Sequence, residues 1–554
     1  MRQRWLIAAV VLALGLTLAG CPRRPRPAPG VPTAPAVPED GGTLYLSMFS
    51  APRGVFNPLL YEDAYDGSVI GFVFNGLLKL DEKLGLEPDL AERFEVSPDN
   101  RSVTFYLRRD VRWHDGQPFT ARDVAFTFKA ILDPRYPGVR ASDYLVIAGA
   151  REYKEGRAAD VSGIQVLDDH TVRFTLVEPY APILERLSFP IVPEHVFRGA
   201  DIARLADHPA TRSPVGTGPY RFVQYRPDQF VELARWDGYY LGRPHIERII
   251  YRIVNQDVAV GQLQAGELDY APVRAADVPV LQKMPHVRLY EFPSFSYQFM
   301  GVNVRRPFLS DKRVRKALAH AINRQAIVDR LLGGHGTVVN SPILPTSWAY
   351  DPAALDPYPY DPRRAEEYLR QAGFGPKDAE GFVSKDGRRF EVSLRYPSGD
   401  RVREQSAALI QDNLRQVGIK VNLEMLEFST LASEVFDKHN MDLWLMAWAV
   451  PPDPDPAGIF LVTPDNKWAQ VTGWDHPQNA PLIREGVRRL RPEDRKPIYA
   501  QWARLVNDEL PYVFLYSPND IHAVSARVQG LKPDIRGPFW NIHELWIPKA
   551  QQAR

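Results

Sequence analysis

The chain has 554 residues, too many for one ordinary hydrophobic core, so two or three lobes are expected. Hydrophobic residues make up 45% and charged residues 24%, as in a soluble globular protein, and 68 Lys and Arg against 67 Asp and Glu exclude a basic nucleic-acid surface or an acidic tail. A single cysteine excludes an internal disulfide and a cysteine-based zinc site, while 50 prolines point to extended crossings and rigid turns.

Arg2 and Arg4 precede the apolar run Trp5–Leu18, which ends in Leu18-Ala19-Gly20-Cys21. A charged start, an apolar core and small residues before a cut describe a secretory signal over residues 1–20. The ending resembles a bacterial lipobox, which implies that Cys21 is lipidated and anchors the protein extracytoplasmically, in the periplasm or at the cell surface. Residues 21–40 are rich in proline and alanine and read as a stiff tether between membrane and body.

Gly42–Ser50 alternates apolar and small polar residues and predicts a first strand, followed by a turn at Phe56-Asn57-Pro58-Leu59. Ile70–Leu80 passes through the turn signal Asn75-Gly76. Phe94–Val96 and Ser102–Leu107 predict a hairpin about Asp99-Asn100. His114 and Asp115 could pair for acid–base or metal chemistry. Asp115-Gly116 is better read as a tight turn, with Thr120 capping the helix that follows. Val161–Leu176 predicts two more strands, and Pro190–Phe197 a proline-bounded crossing. Gly216 and Gly218 form half of a dinucleotide fingerprint, but the next glycine is missing and Pro219 forbids the required helix start. They read instead as a glycine turn feeding the strand Tyr220–Tyr225.

Ala259–Tyr270 predicts a helix closing at Gly266 with a short strand after it, and Tyr290–Asn303 an extended aromatic run that crosses between lobes. Ser310 or Asp311 caps a helix carrying Val314, Ala317, Leu318, Ala321 and Ile322; Asn323 caps a second, which ends at Gly333-Gly334. Further on, helices are predicted at Arg364–Ala372, Arg401–Gln416, Leu431–Phe436 and Pro492–Leu510. Strands are predicted at Phe390–Tyr396, Ile419–Leu426, Met441–Ala449 and Val513–Ser517. Such alternation predicts a mainly parallel sheet covered on both faces.

No GxSxG elbow, HExxH or P-loop occurs, and the 12 histidines are scattered, so neither an enzyme nor a resident metal or cofactor is expected. A secreted hydrolase would need a triad assembled only by folding. The stronger signal is Trp448 to Pro456, WAVPPDPDP, at the C-terminal end of the most apolar strand, where α/β sheets bind ligands. Trp448 offers broad apolar contact, and Asp453 and Asp455 offer carboxylates for a cation such as an amino terminus.

RWHDGQPFTARDVAF at 112–126, VGTGPYRF at 215–222 and QLQAGELD at 262–269 carry a resemblance, together with WAVPPDPDP and the stretch from Pro307-Phe308 through Asp311, Arg313, Val314, Arg315 and Asn323-Arg324 to Ile327. In this order they resemble the family 5 extracytoplasmic solute-binding proteins, the peptide- and nickel-type binding proteins of ATP-binding-cassette importers. The resemblance implies an α/β, two-lobed periplasmic-binding-protein-like fold of type II with an accessory subdomain, mixed sheets flanked by helices, and a ligand cleft between lobes. Lobe I would comprise 41–293 plus 513–554, with the accessory subregion at about 77–212, and lobe II 294–512. It also implies a monomeric carrier that captures an oligopeptide or dipeptide and delivers it to a membrane permease. A nickel chelate, opine or oligosaccharide are the alternatives on the same scaffold.

In peptide-binding members an aspartate shortly after the tryptophan receives the peptide's amino group. Here Val450 and Pro451 occupy that place and Asp453 is left to take the role. An arginine for the peptide carboxylate would fall near Tyr396–Arg403, with Arg395, Arg401 and Arg403 as candidates. Val450, Tyr396, Tyr297, Ser50 and Asn57 complete the expected ligand set.

Overall fold

The strand Tyr512–Ser525 ties the two halves of the chain into one sheet. The computed structural model describes residues 37–463 and 466–553, and in it this 14-residue strand lies in the middle of a 12-stranded sheet. On one side follow Ser296–Val302, Leu443–Ala449, Glu391–Pro397 and Lys420–Leu426; on the other, Tyr270–Val273, Thr43–Met48, Arg248–Ile253, Phe230–Arg235 and Tyr220–Arg226. The sequence marks this strand only as far as Ser517, because Pro518-Asn519-Asp520 has turn chemistry. The strand continues because neighbours supply partners there: Pro518 O accepts from Ser294 N at 3.2 Å, and Asn519 N donates to His335 O at 3.2 Å.

The sheet is mixed, which corrects the expectation of a mainly parallel one. Thr43–Met48 runs parallel to its two neighbours and Glu391–Pro397 to its two; the other pairings are antiparallel. The reason is the crossing at Ser294-Phe295, which returns Ser296–Val302 between two strands that both oppose it. Leu443–Ala449 is apolar because both its faces are covered, and coverage does not require parallel neighbours.

The predicted hairpin forms between Ala91–Val96 and Ser102–Leu107, with Asn100 at φ 57° in its turn. With Thr171–Thr175 and Ile164–Asp168 it makes a separate four-stranded sheet. The apolar run before Asn75-Gly76 is part of a helix, Ala64–Val73, whose cap Asp63 accepts from Tyr65 N at 2.8 Å and Asp66 N at 2.9 Å. Among the described residues no helix is long and apolar enough to cross a membrane.

His114 is structural. Its Nε2 donates to Gly218 O at 2.9 Å and its Nδ1 accepts from Gly216 N at 3.2 Å, so it pins the glycine segment with a neutral ring. Burial pushes its pKa down to about 4. Gly216 and Gly218 are not turn glycines: a Cβ on Gly216 would lie 1.8 Å from Val73 O. They let the strand lead-in pass against the end of the first helix, where Gly218 N donates to Val73 O at 2.8 Å.

The stretch from Asn303 to Pro345 folds as its pattern predicts. Asp311 caps Lys312–Ala321 by accepting from Arg313 N at 2.9 Å, and Asn323 accepts from Ala326 N at 3.0 Å. A single π-helical turn, Ile327–Leu331, follows, and Gly333 and Gly334 close it with φ of 60° and 88°. Two of its arginines are internal clamps. Arg315 donates to Leu309 O, Ser310 O and Glu509 O at 3.0, 2.8 and 2.6 Å. Arg324 donates to four backbone carbonyls, of Val339, Phe514, Pro357 and Tyr358, and to Asn340 Oδ1. Burial lowers its pKa to about 10.

The C-terminal segment is locked to the first strand by a buried ion pair. Arg527 donates to both Asp269 oxygens at 2.6 Å and to Thr43 O at 2.8 Å, while Asp269 also accepts from Tyr45 N at 2.9 Å. The Asp269 side chain is 0% exposed.

Candidate functional site

The strand Leu443–Ala449 ends where Val450 N donates to Phe295 O at 2.8 Å, beside the crossing between the two halves of the sheet. Prolines 451, 452, 454 and 456 then hold the chain extended, since their fixed φ and missing N–H groups prevent a helix before Ala457. This rigid segment forms one wall of two adjoining cavities. The smaller, a narrow space of about 50 Å³ that widens to about 530 Å³ with its open mouth, is lined by Phe295, Ile343, Val450, Asp455 and Trp502 among others. The larger, about 670 Å³ and widening to about 1630 Å³ with its open mouth, lies between Leu84–Asn100, Ala181–Glu185, Trp348 and Arg489–Arg495. Leu84, Pro452 and Asp453 line both.

Asp453 is already paired. Arg495 donates to its two oxygens at 2.6 and 2.7 Å, and Asp455 N donates to Asp453 Oδ1 at 3.0 Å. Arg495 is 3% exposed, donates further to Gly486 O and the Tyr499 hydroxyl, and lies 5.2 Å from the Trp348 ring centroid. The pair therefore fixes the proline segment on the helix Pro492–Glu509. Asp455 differs. One oxygen accepts from Ala457 N at 3.0 Å, while the carboxyl faces the smaller cavity and protein crowds its other sides. That burial, with Asp453 adding repulsion, pushes its pKa up to about 6. Glu185 accepts from Asp453 N at 3.0 Å, and its pKa is raised by burial and by Asp453.

Of the residues expected from sequence, Val450, Asp453 and Asp455 line these cavities. Trp448 and Tyr297 do not. Trp448 stacks on Phe299 with centroids 6.2 Å apart and planes at 12°, and meets Trp468 at 5.6 Å. Tyr297 is a core residue, 0% exposed against Phe299 and Phe514. Arg395 is spent on Glu424 at 2.7 Å and Glu434 at 3.1 Å. Arg403 donates to Gln298 Oε1 at 3.0 Å, Arg401 is exposed at the first position of its helix, and Tyr396 packs half-buried on the core. Ser50 is exposed after the first strand. Asn57 is buried, donating to Thr211 Oγ1 at 3.1 Å and accepting from Leu59 N at 3.0 Å as a turn residue. Cys21 lies outside the described residues.

Sequence reasoning did not single out Leu84, Glu185, Trp348 or Arg495 as site residues. Arg495 sits among Arg488, Arg489, Arg491 and Lys496, where a charged run reads as a solvated face. Among the described residues no group of three or more His, Cys, Asp or Glu could hold a metal ion.

Residues 85–469 match the family model for bacterial extracellular solute-binding proteins, family 5 middle. The oligopeptide-binding protein AppA of Bacillus subtilis is 28% identical over 553 residues, covering 98% of each chain. Its structure with a nonapeptide superimposes with a TM-score of 0.74 at 27% identity, covering 93% of this chain and 100% of that one. NikZ of Campylobacter jejuni in complex with Ni(L-His) gives a TM-score of 0.74 at 26% identity, covering 92% and 100%. These likenesses extend over the whole described fold, and they are to binding proteins, not enzymes. The chain belongs to the family 5 extracellular solute-binding proteins of peptide and nickel importers of the ATP-binding-cassette type.

Proposed function

We propose that this protein captures oligopeptides outside the cytoplasm and delivers them to its membrane permease. The observation that carries the reading is the lining of the larger cavity. Its volume of about 670 Å³ lies in the upper part of the roughly 300–1,000 Å³ typical of small-molecule sites, and its open mouth lets an extended chain run beyond it. Its walls are apolar (Phe94, Val96, Leu184, Trp348) and its rim carries both signs, Glu185 and Asp494 against Arg489 and Arg491. A zwitterionic chain with apolar side chains suits that lining. A compact metal chelate has no groups to match the apolar walls. Residues 41–293 with 513–554 act in this reading as one lobe and 294–512 as the other, closing by a hinge at Ser294-Phe295 and the spanning strand.

Native mass spectrometry of the protein as purified, followed by calorimetry with a nonapeptide, a dipeptide and nickel–histidine, tests the reading. Saturable binding of the nonapeptide supports it. Binding of nickel–histidine alone would overturn it in favour of the nickel-chelate alternative.

We assign the ligand ammonium to Asp455, on the smaller cavity that adjoins the larger one at Leu84, Pro452 and Asp453, since Asp453 is occupied by Arg495. Asp455→Asn is expected to weaken free peptides by roughly 2 kcal/mol, about thirtyfold, and to spare N-acetylated ones. Because the ligand-free carboxyl has its pKa near 6, an incoming ammonium ionises it. Binding of free peptides at pH 5.5 is then expected to release protons, read from calorimetry in buffers of different ionisation enthalpy. Equal affinity of Asp455→Asn for free and acetylated peptides would remove Asp455 from the site.

The lipid anchor rests on the sequence around Cys21. Cys21→Ser is expected to move the protein from the membrane to the soluble fraction, because stable attachment needs more than a single acyl chain and the variant carries none. Fractionation followed by immunoblotting reads the outcome.

A further inference from the structure

The helix Ala64–Val73 carries two interior glycines one turn apart, Gly67 and Gly71. Glycine inside a helix costs about 1 kcal/mol relative to alanine. Close packing does not account for Gly71, since a Cβ there would meet no atom within 4 Å among the described residues. It faces a cavity of about 880 Å³, including its open mouth, walled by Phe49, Tyr65, Phe72, Tyr251, Phe539 and Trp540. The rings brace one another: Phe72 stacks on Tyr251 at 5.9 Å with planes at 24°, and Phe539 meets Phe72 edge-on at 6.1 Å.

Arg536 lies 3.8 Å from the Trp540 ring centroid, but its charge is taken by Asp534 and it donates to Leu80 O at 3.2 Å. The wall thus offers aromatic faces and no uncompensated arginine. Ser47, near the C-terminal end of the first strand, also lines the cavity; it is 5% exposed and its hydroxyl has no partner among the described residues. Carboxyl ends of strands in open α/β sheets are where ligands bind. Without its mouth the cavity holds about 340 Å³, at the lower end of the small-molecule range of roughly 300–1,000 Å³ and suited to a single ring.

We propose that this cavity is a second binding site, for an uncharged planar ring with a hydrogen-bonding edge, of the phenol or indole class. It shares no wall residue with the two cavities at Val450–Asp455. The ring lies over the helix backbone at Gly71, which a side chain would obstruct, between aromatic walls and with its polar edge towards Ser47.

Calorimetric titration of the full chain with indole and with phenol tests this, with benzoate as the charged control. Saturable one-to-one binding at about millimolar or tighter is expected for the neutral rings, and none for benzoate. Gly71→Leu fills the cavity from a position free of clashes, so indole binding is expected to fall at least tenfold, on the order of a lost hot-spot contact. Its melting temperature should hold or rise, because leucine favours the helix. Trp540→Ala, at an exposed part of the wall, is expected to weaken indole about fivefold and carries the test if Gly71→Leu is destabilised. Absence of saturable indole binding to the parent, or parental affinity in both variants, would overturn the proposal.

Discussion

Asp269→Asn is expected to destabilise the fold by roughly 3–5 kcal/mol, the range for breaking a buried ion pair by removing one partner. The replacement keeps the size of the side chain but leaves the Arg527 guanidinium, 6% exposed, without its anion. Arg527 would retain Thr43 O and Gln551 O as acceptors, so the charge stays buried with only carbonyl dipoles around it. The loss should appear first where the pair acts, in the strands Thr43–Met48, Tyr270–Val273 and Tyr512–Ser525. Hydrogen exchange of those strands against the separate four-stranded sheet reads it. Uniform protection in parent and variant would show that the pair contributes little. Adding Arg527→Met should recover part of the loss, because a buried pair replaced by apolar groups is often near neutral.

Asp453→Asn is the second large effect, and its sign separates structure from recognition. Sequence alone assigns Asp453 to the ligand. In the fold its carboxylate compensates Arg495, which is 3% exposed, and losing that compensation is expected to cost roughly 3–5 kcal/mol. The damage should spread to the proline segment and the helix Pro492–Glu509, lowering the affinity for free and N-acetylated ligands alike. Asp455→Asn should discriminate between those ligands while leaving the melting temperature close to the parent's. Calorimetric affinities and thermal melts of the two variants form the comparison. If Asp453→Asn instead melts like the parent and discriminates by the amino terminus, the roles of the two aspartates are the reverse of those described.

The sequence by itself determined much of the local structure and the family. Helix Arg401–Gln416 was readable to its ends because Ala407, Leu409, Ile410 and Leu414 recur at helical spacing and Gly418 stops it; the structure adds the cap, Asp400, and gives Gly418 a φ of 89°. The hairpin at Asn100, the caps Asp311 and Asn323 and the closure at Gly333-Gly334 were legible for the same reason. Their physics lies within a few residues of chain. The five motifs, in order, gave the family, and with it the mixed α/β binding-protein fold and the solute-binding function.

Tertiary structure alone decided whatever depends on partners distant in sequence. Pro518 continues a strand because Ser294 and His335 lie beside it. Gly216 and Gly218 serve a close approach to Val73, a contact no turn rule describes. Arg495 stands in a charged run that reads as a solvated face, and nothing local marks Arg315 or Arg324 as internal, yet each is buried on acceptors contributed by remote segments. The candidate site shows the same division. Its place, at the end of the most apolar strand, follows from local hydrophobicity and sheet topology. The assignment within it, Asp453 to Arg495 and Asp455 to the cavity, is set by a helix that begins almost forty residues later. A carboxylate's role depends on which charge reaches it, and only folding brings that charge within 3 Å.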